Sequence, residues 1–397
     1  MTSNHLRRFL LLAALGTLTP PPRHVGAQAT AARPTAESTA LRSLPARLTD
    51  EEFWAFTLAM SEPEGSFASE NLLSNERGYQ VVIPGLLSAP RTGKVYLGVG
   101  PEQNFTYIAA LHPSMVVIID IRRGNLLGHL LYKALFELSA DRAEFVSRLF
   151  SKPRPSGLDT GSTANAITDA YYMIFGDSTL YARNRRDVID VLTKTHVYAL
   201  SESDIERMTW IYDQFYFNGL DLTYTSTRGG GGFRGGGGGG MPSYKEIVTR
   251  DDGTGLNRGF LGNEANWRFI KELHAKNLIV PVVGNFGGDK AIRSVGTWLK
   301  ARGGTVGAFY ASNVEQYLFQ DGIAGNYYAN VAELPIDSTS VIIRSQSGGR
   351  GGGFGGGGFG GRGGLAVNRI CSIPELLAAN RGGRIGGYGD IFSYCEP

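Results

Sequence analysis

Five short apolar runs alternate along the chain with segments of helical apolar spacing. The runs are rich in β-branched residues and lack polar alternation, which is typical of strands buried on both faces of a parallel sheet. Strands that alternate with amphipathic helices predict a doubly wound α/β core. The predicted strands are 94–100, 115–120, 278–284, 305–312 and 341–344, and the predicted helices are 103–111, 125–150 with a candidate break at Ser139, 266–276 and 289–302.

The end of the first predicted strand carries a glycine turn. A strand that passes through Gly98 and Gly100 into a helix lets backbone N–H groups approach a ligand closely. Asp120 ends the next predicted strand, where an acid accepts hydrogen bonds from ribose hydroxyls in nucleotide-binding folds. Arg122 follows and suits a carboxylate or phosphate. No third glycine stands at the usual spacing, so a plain strand–helix turn beside a solvated acid–arginine pair stays an alternative.

Five sequence blocks extend this pattern to most of residues 50–345. They are GVGPEQNFTYI, DIRRGN, LLYKALFELSADRAEF, VPVVGNFGGDKA and FYASNVEQYL. Together they resemble an uncharacterised bacterial family with a domain like the class I S-adenosylmethionine-dependent methyltransferases. The resemblance implies a Rossmann-like sheet and S-adenosylmethionine as a possible cofactor. One departure is that Tyr96-Leu97 replaces the acidic residue that usually precedes the glycine loop.

The resemblance assigns roles to the residues that follow the strands. The glycine loop and Asp120 would hold the cofactor and its ribose, and the residues after the third strand would lie near an adenine. Asn313 follows the fourth strand, where methyltransferases often place a catalytic or substrate-binding polar group. The expected cofactor-binding residues are Gly98, Gly100, Pro101, Gln103, Asp120, Arg122, Asn285 and Phe286, and the expected catalytic residues are Glu102, as a nearby base, and Asn313.

The N-terminus predicts export from a bacterial cell. Arg7 and Arg8 precede a short apolar run, and small residues follow up to Ala27-Gln28-Ala29. This order is typical of a secretory signal peptide, which we place at residues 1–29, and the apolar run is too short for a membrane anchor. We therefore expect a periplasmic or extracellular protein with no transmembrane anchor after cleavage.

Export leaves three functions open. The first is methyl transfer from S-adenosylmethionine to an unknown small-molecule or protein substrate, although the donor is made in the cytoplasm. The second is a non-catalytic extracytoplasmic binding or interaction module that reuses the same cleft. The third is a hydrolase or transferase that uses Glu102, Asp120 and the arginines on another substrate.

The two cysteines, Cys371 and Cys395, lie near the C-terminus. Outside the cytoplasm such a pair favours a disulfide that closes the tail into a loop. A metal site is not expected, because the pair lacks C-x-x-C spacing and the histidines show no ligand spacing. The histidines are His5, His24, His112, His129, His196 and His274.

Two glycine tracts, 228–240 and 346–364, interrupt the chain. Glycine offers no side chain to bury, so neither tract is expected to form a core. Their Arg-Gly-Gly and Gly-Phe units suit RNA binding. Removal of residues 1–29 takes away three arginines, however, and 39 basic residues become 36 against 36 acidic ones. For a neutral exported chain we favour surface loops and expect no nucleic-acid partner.

The remaining segments complete the predicted organisation. A flexible lead at 30–48 precedes the α/β domain at 49–345, which carries an insertion at about 155–250, and a C-terminal segment follows at 365–397. The polar stretch 69–76 is either part of a substrate site or a self-bonded loop. His129, Lys133, Glu137 and Asp141 recur every four residues, which favours a solvated stripe of charges.

Overall fold

Six strands form one sheet, and their order places the first and fourth strands side by side. They are β1 (Val95–Gly98), β2 (Met115–Asp120), β3 (Ile279–Val283), β4 (Val306–Ser312), β5 (Val341–Gly348) and β6 (Gly364–Ser372). The sheet order is β3-β2-β1-β4-β5-β6. β1 to β5 pair in parallel, and β6 is antiparallel to β5. The predicted α/β class with a Rossmann-like, mostly parallel sheet is confirmed.

The computed structural model describes residues 43–67, 69–226, 241–348 and 364–396, which belong to the compact unit 41–397. The predicted signal peptide, residues 30–42 of the predicted lead, and most or all of each glycine tract lie outside the described residues. Within the described ranges, no helix is both long enough and apolar enough to cross a membrane.

Fourteen α-helices lie in the described part of the chain. They are α1 (Asp50–Met60), α2 (Ile83–Leu86), α3 (Gln103–Leu111), α4 (Arg123–Leu138), α5 (Arg142–Phe150), α6 (Ala164–Tyr172), α7 (Ser178–Asp190), α8 (Glu202–Asn218), α9 (Tyr244–Val248), α10 (Glu264–Ala275), α11 (Ala291–Lys300), α12 (Val314–Gln320), α13 (Ala324–Ala332) and α14 (Ile373–Arg381). A π-helical turn (Val191–Thr195) continues α7.

The central strands are buried because helices cover the sheet. All residues of β2 and β3 are buried, as the continuous apolar runs predict. α4 packs on β2 and β3, and α10 packs on α3 and α4. α1 contacts β3 and α11. The carboxyl ends of the strands remain accessible at one end of the sheet.

Local sequence explains where several helices begin and end. Thr49 accepts a hydrogen bond from the backbone of Glu52, whose side chain accepts one from the backbone of Thr49, so α1 starts with a capping box. α4 ends at Leu138, where the Ser139 hydroxyl donates to the Leu135 carbonyl oxygen. Asp141 then caps α5 by accepting from the Glu144 N–H group. The predicted break at Ser139 is confirmed.

The predicted mid-chain insertion lies in the connection from β2 to β3. Its described residues form α6 to α9 between α5 and α10. α8 packs along α4 and α5, and α6 packs on α5. The insertion therefore extends the helical layer formed by α4 and α5, of which α4 packs on β2 and β3.

The prediction of a solvated stripe formed by His129, Lys133, Glu137 and Asp141 is wrong for the first two residues. His129 and Lys133 are buried, at 2% and 1% exposure. The Lys133 ammonium reaches the Glu137 carboxylate at 2.7 Å and the His274 carbonyl oxygen at 2.7 Å. Packing of α10 against α4 converts this face of the helix into an interior contact that spacing alone does not indicate.

The C-terminal residues complete the sheet. β6 follows the second glycine tract and alternates inward and outward, with Asn368 and Ile370 buried and Val367 exposed. Cys371 on β6 forms a disulfide with Cys395, which confirms the predicted pairing. The bond ties the tail to the edge strand.

Candidate functional site

A deep cleft opens at the carboxyl ends of the strands. Strand order reverses between β1 and β4, and ligands of open α/β sheets bind at such a switch point. The cleft encloses about 1,120 Å³, including space open to solvent. Eight of the ten predicted site residues line it: Gly100, Pro101, Gln103, Asp120, Arg122, Asn285, Phe286 and Asn313.

The glycine turn after β1 is held from beneath by Asn104. The Asn104 amide nitrogen donates to the carbonyl oxygens of Val99 at 2.9 Å and Pro101 at 2.7 Å. Its amide oxygen accepts from the Tyr96 hydroxyl at 2.9 Å. Gly98 does not line the cleft, but a Cβ there would stand 2.1 Å from the Asn104 amide oxygen. The absence of a side chain at Gly98 thus allows Asn104 to hold the turn.

Gly100 takes the conformation that the turn needs. Its φ is +78°, in the left-handed region that glycine occupies without strain. Its carbonyl oxygen lies 2.9 Å from Nε2 of His129 on α4. Since that nitrogen faces an acceptor, it carries the proton of a neutral imidazole. Burial lowers the pKa of His129 to about 4, so the neutral form holds the turn at physiological pH.

Asp120 and Arg122 form an internal pair at the end of β2. Nε of Arg122 donates to Asp120 Oδ1 at 2.9 Å, and Nη2 donates to Oδ2 at 2.6 Å. Nη1 of Arg122 donates to the carbonyl oxygens of Ser69 and Glu70. The Arg122 backbone N–H also donates to Oδ1. A carboxylate has about four acceptor positions, so Asp120 retains about one for a ligand hydroxyl.

The residues after β3 form one wall of the cleft. Glu62, which follows α1, accepts hydrogen bonds from the backbone N–H groups of Asn285 at 3.0 Å and Ala291 at 2.7 Å. These bonds fix the loop between β3 and α11. The Phe286 ring stacks on Tyr327, with 5.7 Å between ring centroids. Phe286 therefore presents a rigid aromatic surface to the cleft.

Another part of the cleft wall is formed by the residues at the end of β4. Asn313 precedes α12, and its amide nitrogen lies 3.5 Å from the Gln316 side-chain oxygen. Ser312 has a φ of +50°, a costly conformation for a residue with a Cβ. The Ser312 hydroxyl donates to the Glu76 carboxylate at 2.6 Å.

The structure does not bring Glu102, the predicted base, to the cleft. Its carboxylate is 1% exposed and lies in the interior, where neither oxygen has a hydrogen-bond partner among the described residues. Burial raises the pKa of Glu102 to about 8. Glu102 is thus a predominantly protonated core residue at neutral pH.

The polar segment before β1 supplies site residues that the strand-end pattern missed. Its cleft-lining members are Asn71, Leu73, Ser74, Asn75 and Glu76. The dense run of Ser, Asn and Glu in 69–76 is the sequence signal, and the structure shows features of both interpretations: the segment lines the cleft, and the Ser69 and Ser74 hydroxyls accept hydrogen bonds from the backbone N–H groups of Asn71 and Glu76. Asn71 has a φ of +46°, and Arg122 anchors the start of the segment to Asp120.

No group of three or more His, Cys, Asp or Glu side chains within the described ranges is arranged to hold a metal ion. Among the described lining residues, the charged ones are Glu76, Asp120, Arg122 and Asp321.

One protein-family comparison covers most of this cleft and β1 to β5 of the sheet. The model of the family described as a domain of unknown function, DUF7790, matches residues 72–216 and 239–354, more than half of the 397 residues. The chain belongs to the DUF7790 family. The DUF7790 match omits 217–238, so the first glycine tract falls almost wholly outside the family model. A search of curated proteins finds no match to the chain.

Proposed function

We propose that the cleft binds S-adenosylmethionine and that the protein transfers its methyl group to an unidentified acceptor. The observation that carries the proposal is the convergence of predicted residues from four strand ends on one cleft. The Gly100 turn, Asp120, the Asn285–Phe286 loop and Asn313 all line it.

The lining fits the chemistry of that cofactor. The Gly100 turn permits close backbone approach, and Phe286 offers a flat apolar surface to a purine ring. Asp120 keeps about one acceptor position for a ribose hydroxyl. When bound, the cofactor would supply an activated methyl group on a sulfonium. The protein's own contribution is to hold donor and acceptor in line, which is the main source of rate in such a transfer.

The binding experiment is calorimetric titration of the full chain with S-adenosylmethionine and S-adenosylhomocysteine. We expect both to bind, and Asp120→Asn to weaken both. Asp204→Asn is the matched control, because Asp204 pairs with Arg123 outside the cleft lining, with its Oδ2 2.7 Å from Nη2. A folded wild-type sample that binds neither ligand, or equal losses in the two variants, would contradict the proposal.

The position of Glu102 favours a second candidate, a binding module without catalysis. The predicted base does not line the cleft, and the remaining acids there are Asp120, already paired, Glu76, already hydrogen-bonded, and Asp321 at the rim. The two candidates differ in turnover. Binding of S-adenosylmethionine with no release of S-adenosylhomocysteine in the presence of extracytoplasmic extract would favour the module.

A further inference from the structure

Glu76 is a buried carboxylate that lines the cleft. It is 1% exposed. Its Oε1 accepts hydrogen bonds from the Tyr310 hydroxyl at 2.8 Å and the Ser312 hydroxyl at 2.6 Å. Its Oε2 accepts from the Asn368 amide at 2.7 Å. Each partner is a neutral donor, which is the arrangement that suits an ionised carboxylate.

The described chain supplies no cation to Glu76. No Lys, Arg or His nitrogen of the described residues lies within 4.0 Å of its oxygens in an ion pair, whereas Glu315, equally buried, is held by both Nε and Nη2 of Arg344. A buried charge is costly unless it is paired. Glu76 therefore differs from Glu315 in having neutral partners and a cleft on one side.

The backbone is strained to keep this arrangement. Ser312 adopts a φ of +50°, and the pairing of β4 with β5 shifts register between Tyr310 and Ser312. The irregularity turns the Ser312 hydroxyl onto Glu76. Strained residues of this kind persist where the surrounding structure holds them and cluster at ligand sites.

Further unpaired acceptors belong to residues that line the same cleft. The Tyr310 hydroxyl has one proton and gives it to Glu76, so it must accept from Gln103 Nε2 at 3.0 Å. This fixes the Gln103 amide with Oε1 buried and without a partner among the described residues. The Asn71 amide oxygen is in the same condition. Arg122 is paired with Asp120, so the lining keeps the negative charges of Glu76 inside and Asp321 at the exposed rim.

We infer that Glu76 is a binding residue for a positively charged, hydrogen-bond-donating group of the ligand. The ammonium group of the cofactor has this chemistry, and so does a protonated amine of the acceptor. The inference rests on the proposed function only if the positively charged group belongs to the cofactor. Tyr96-Leu97 replaces the acid that usually precedes the glycine loop. Glu76, from the segment before β1, would supply a carboxylate in its place.

The test compares two adenosyl ligands that carry an ammonium group with one that lacks it. The full chain is titrated with S-adenosylmethionine, S-adenosylhomocysteine and methylthioadenosine, of which the last lacks the aminocarboxypropyl group and with it the ammonium. We expect the charged ligands to bind at least about tenfold more tightly than methylthioadenosine. Glu76→Gln should abolish most of this preference, because the amide keeps the shape and loses the charge. Asp204→Asn, which removes a buried carboxylate charge outside the cleft lining, should retain it.

A second pair of probes separates the two sources of the cation. Benzylamine and benzyl alcohol, titrated at millimolar concentration and followed by NMR, differ mainly in charge. A Glu76-dependent preference for benzylamine with no preference among adenosyl ligands assigns the cation to the acceptor. The same preference with no adenosyl binding overturns the proposed function and leaves the inference standing. Absence of charge preference in wild type for both sets, or its retention in Glu76→Gln, overturns the inference.

Discussion

Arg122 folds back on Asp120, two residues earlier, and binds both oxygens of its carboxylate while its Nη1 holds the 69–70 segment. Both side chains are about 95% buried. One pair thus ends β2, closes one side of the cleft and positions the segment that carries Glu76. Any variant of Asp120 must therefore be tested for stability as well as for binding.

Asp120→Ala should destabilise the fold by about 3–5 kcal/mol, because it leaves the buried Arg122 guanidinium without its partner. Asp120→Ala/Arg122→Met should recover most of that loss, since the unpaired charge is gone. Denaturant unfolding monitored by fluorescence measures both free energies. Equal free energies of unfolding for the single and the double variant would show that the unpaired Arg122 charge is not the cause of the loss.

Glu102 should make the free energy of unfolding depend on pH between about 4.5 and about 8. Burial raises its pKa in the folded state to about 8, so the folded protein binds the proton more tightly than the unfolded chain. The stabilisation is full below pH 4.5 and is lost as pH rises to about 8, by a few kcal/mol at about 1.4 kcal/mol per unit. Unfolding of Glu102→Gln across this window should lack the slope. Glu51→Gln, at an exposed position of α1, should keep it, and an unchanged slope in Glu102→Gln would refute the assignment.

Deprotonation of His196 should cause a second decrease in the free energy of unfolding as pH rises. Burial lowers the pKa of His196, but the hydrogen bond and charge of Glu137, together with the hydrogen bond to Asp50, outweigh burial and raise it above 6.5. The contribution is full below pH 6.5 and disappears as pH rises through the raised value. Urea unfolding of His196→Gln from pH 6 to 9 should show a flatter curve than wild type. A parallel curve would mean that the imidazole stays neutral between its two carboxylates.

Local sequence patterns were sufficient to predict much of the fold. β2 and α3 have the predicted bounds, because a continuous buried run and a well-formed helix need no distant partner to be recognised. The break at Ser139 and the disulfide between Cys371 and Cys395 were also predicted. β6 was not, since a glycine tract separates it from β5 and its inward Asn368 obscures the apolar alternation.

The site residues were predictable where strand ends define them, and the polar run 69–76 was one further candidate segment with two open interpretations. Gly100, Asp120 and Asn313 follow strands, and parallel strands bring their carboxyl ends together. Glu76 is different, because its partners Tyr310 and Asn368 are more than 230 residues away in sequence. Glu102 shows the converse. Its position beside the glycine turn suggested a base, but this N-cap residue of α3 is buried in the core.

Asn104 should be the most sensitive residue of the glycine turn. It is fully buried, its amide donates to the Val99 and Pro101 carbonyl oxygens, and it accepts from Tyr96. Asn104→Asp keeps the shape but opposes carboxylate oxygens to carbonyl oxygens, so we expect a loss of about 3 kcal/mol or more and loss of ligand binding. Tyr96→Phe removes one hydrogen bond and should cost only about 1 kcal/mol. Denaturant unfolding and titration with S-adenosylhomocysteine measure the two effects. If both variants lost the same stability, the turn would be held by β1 and α3 rather than by the Asn104 amide.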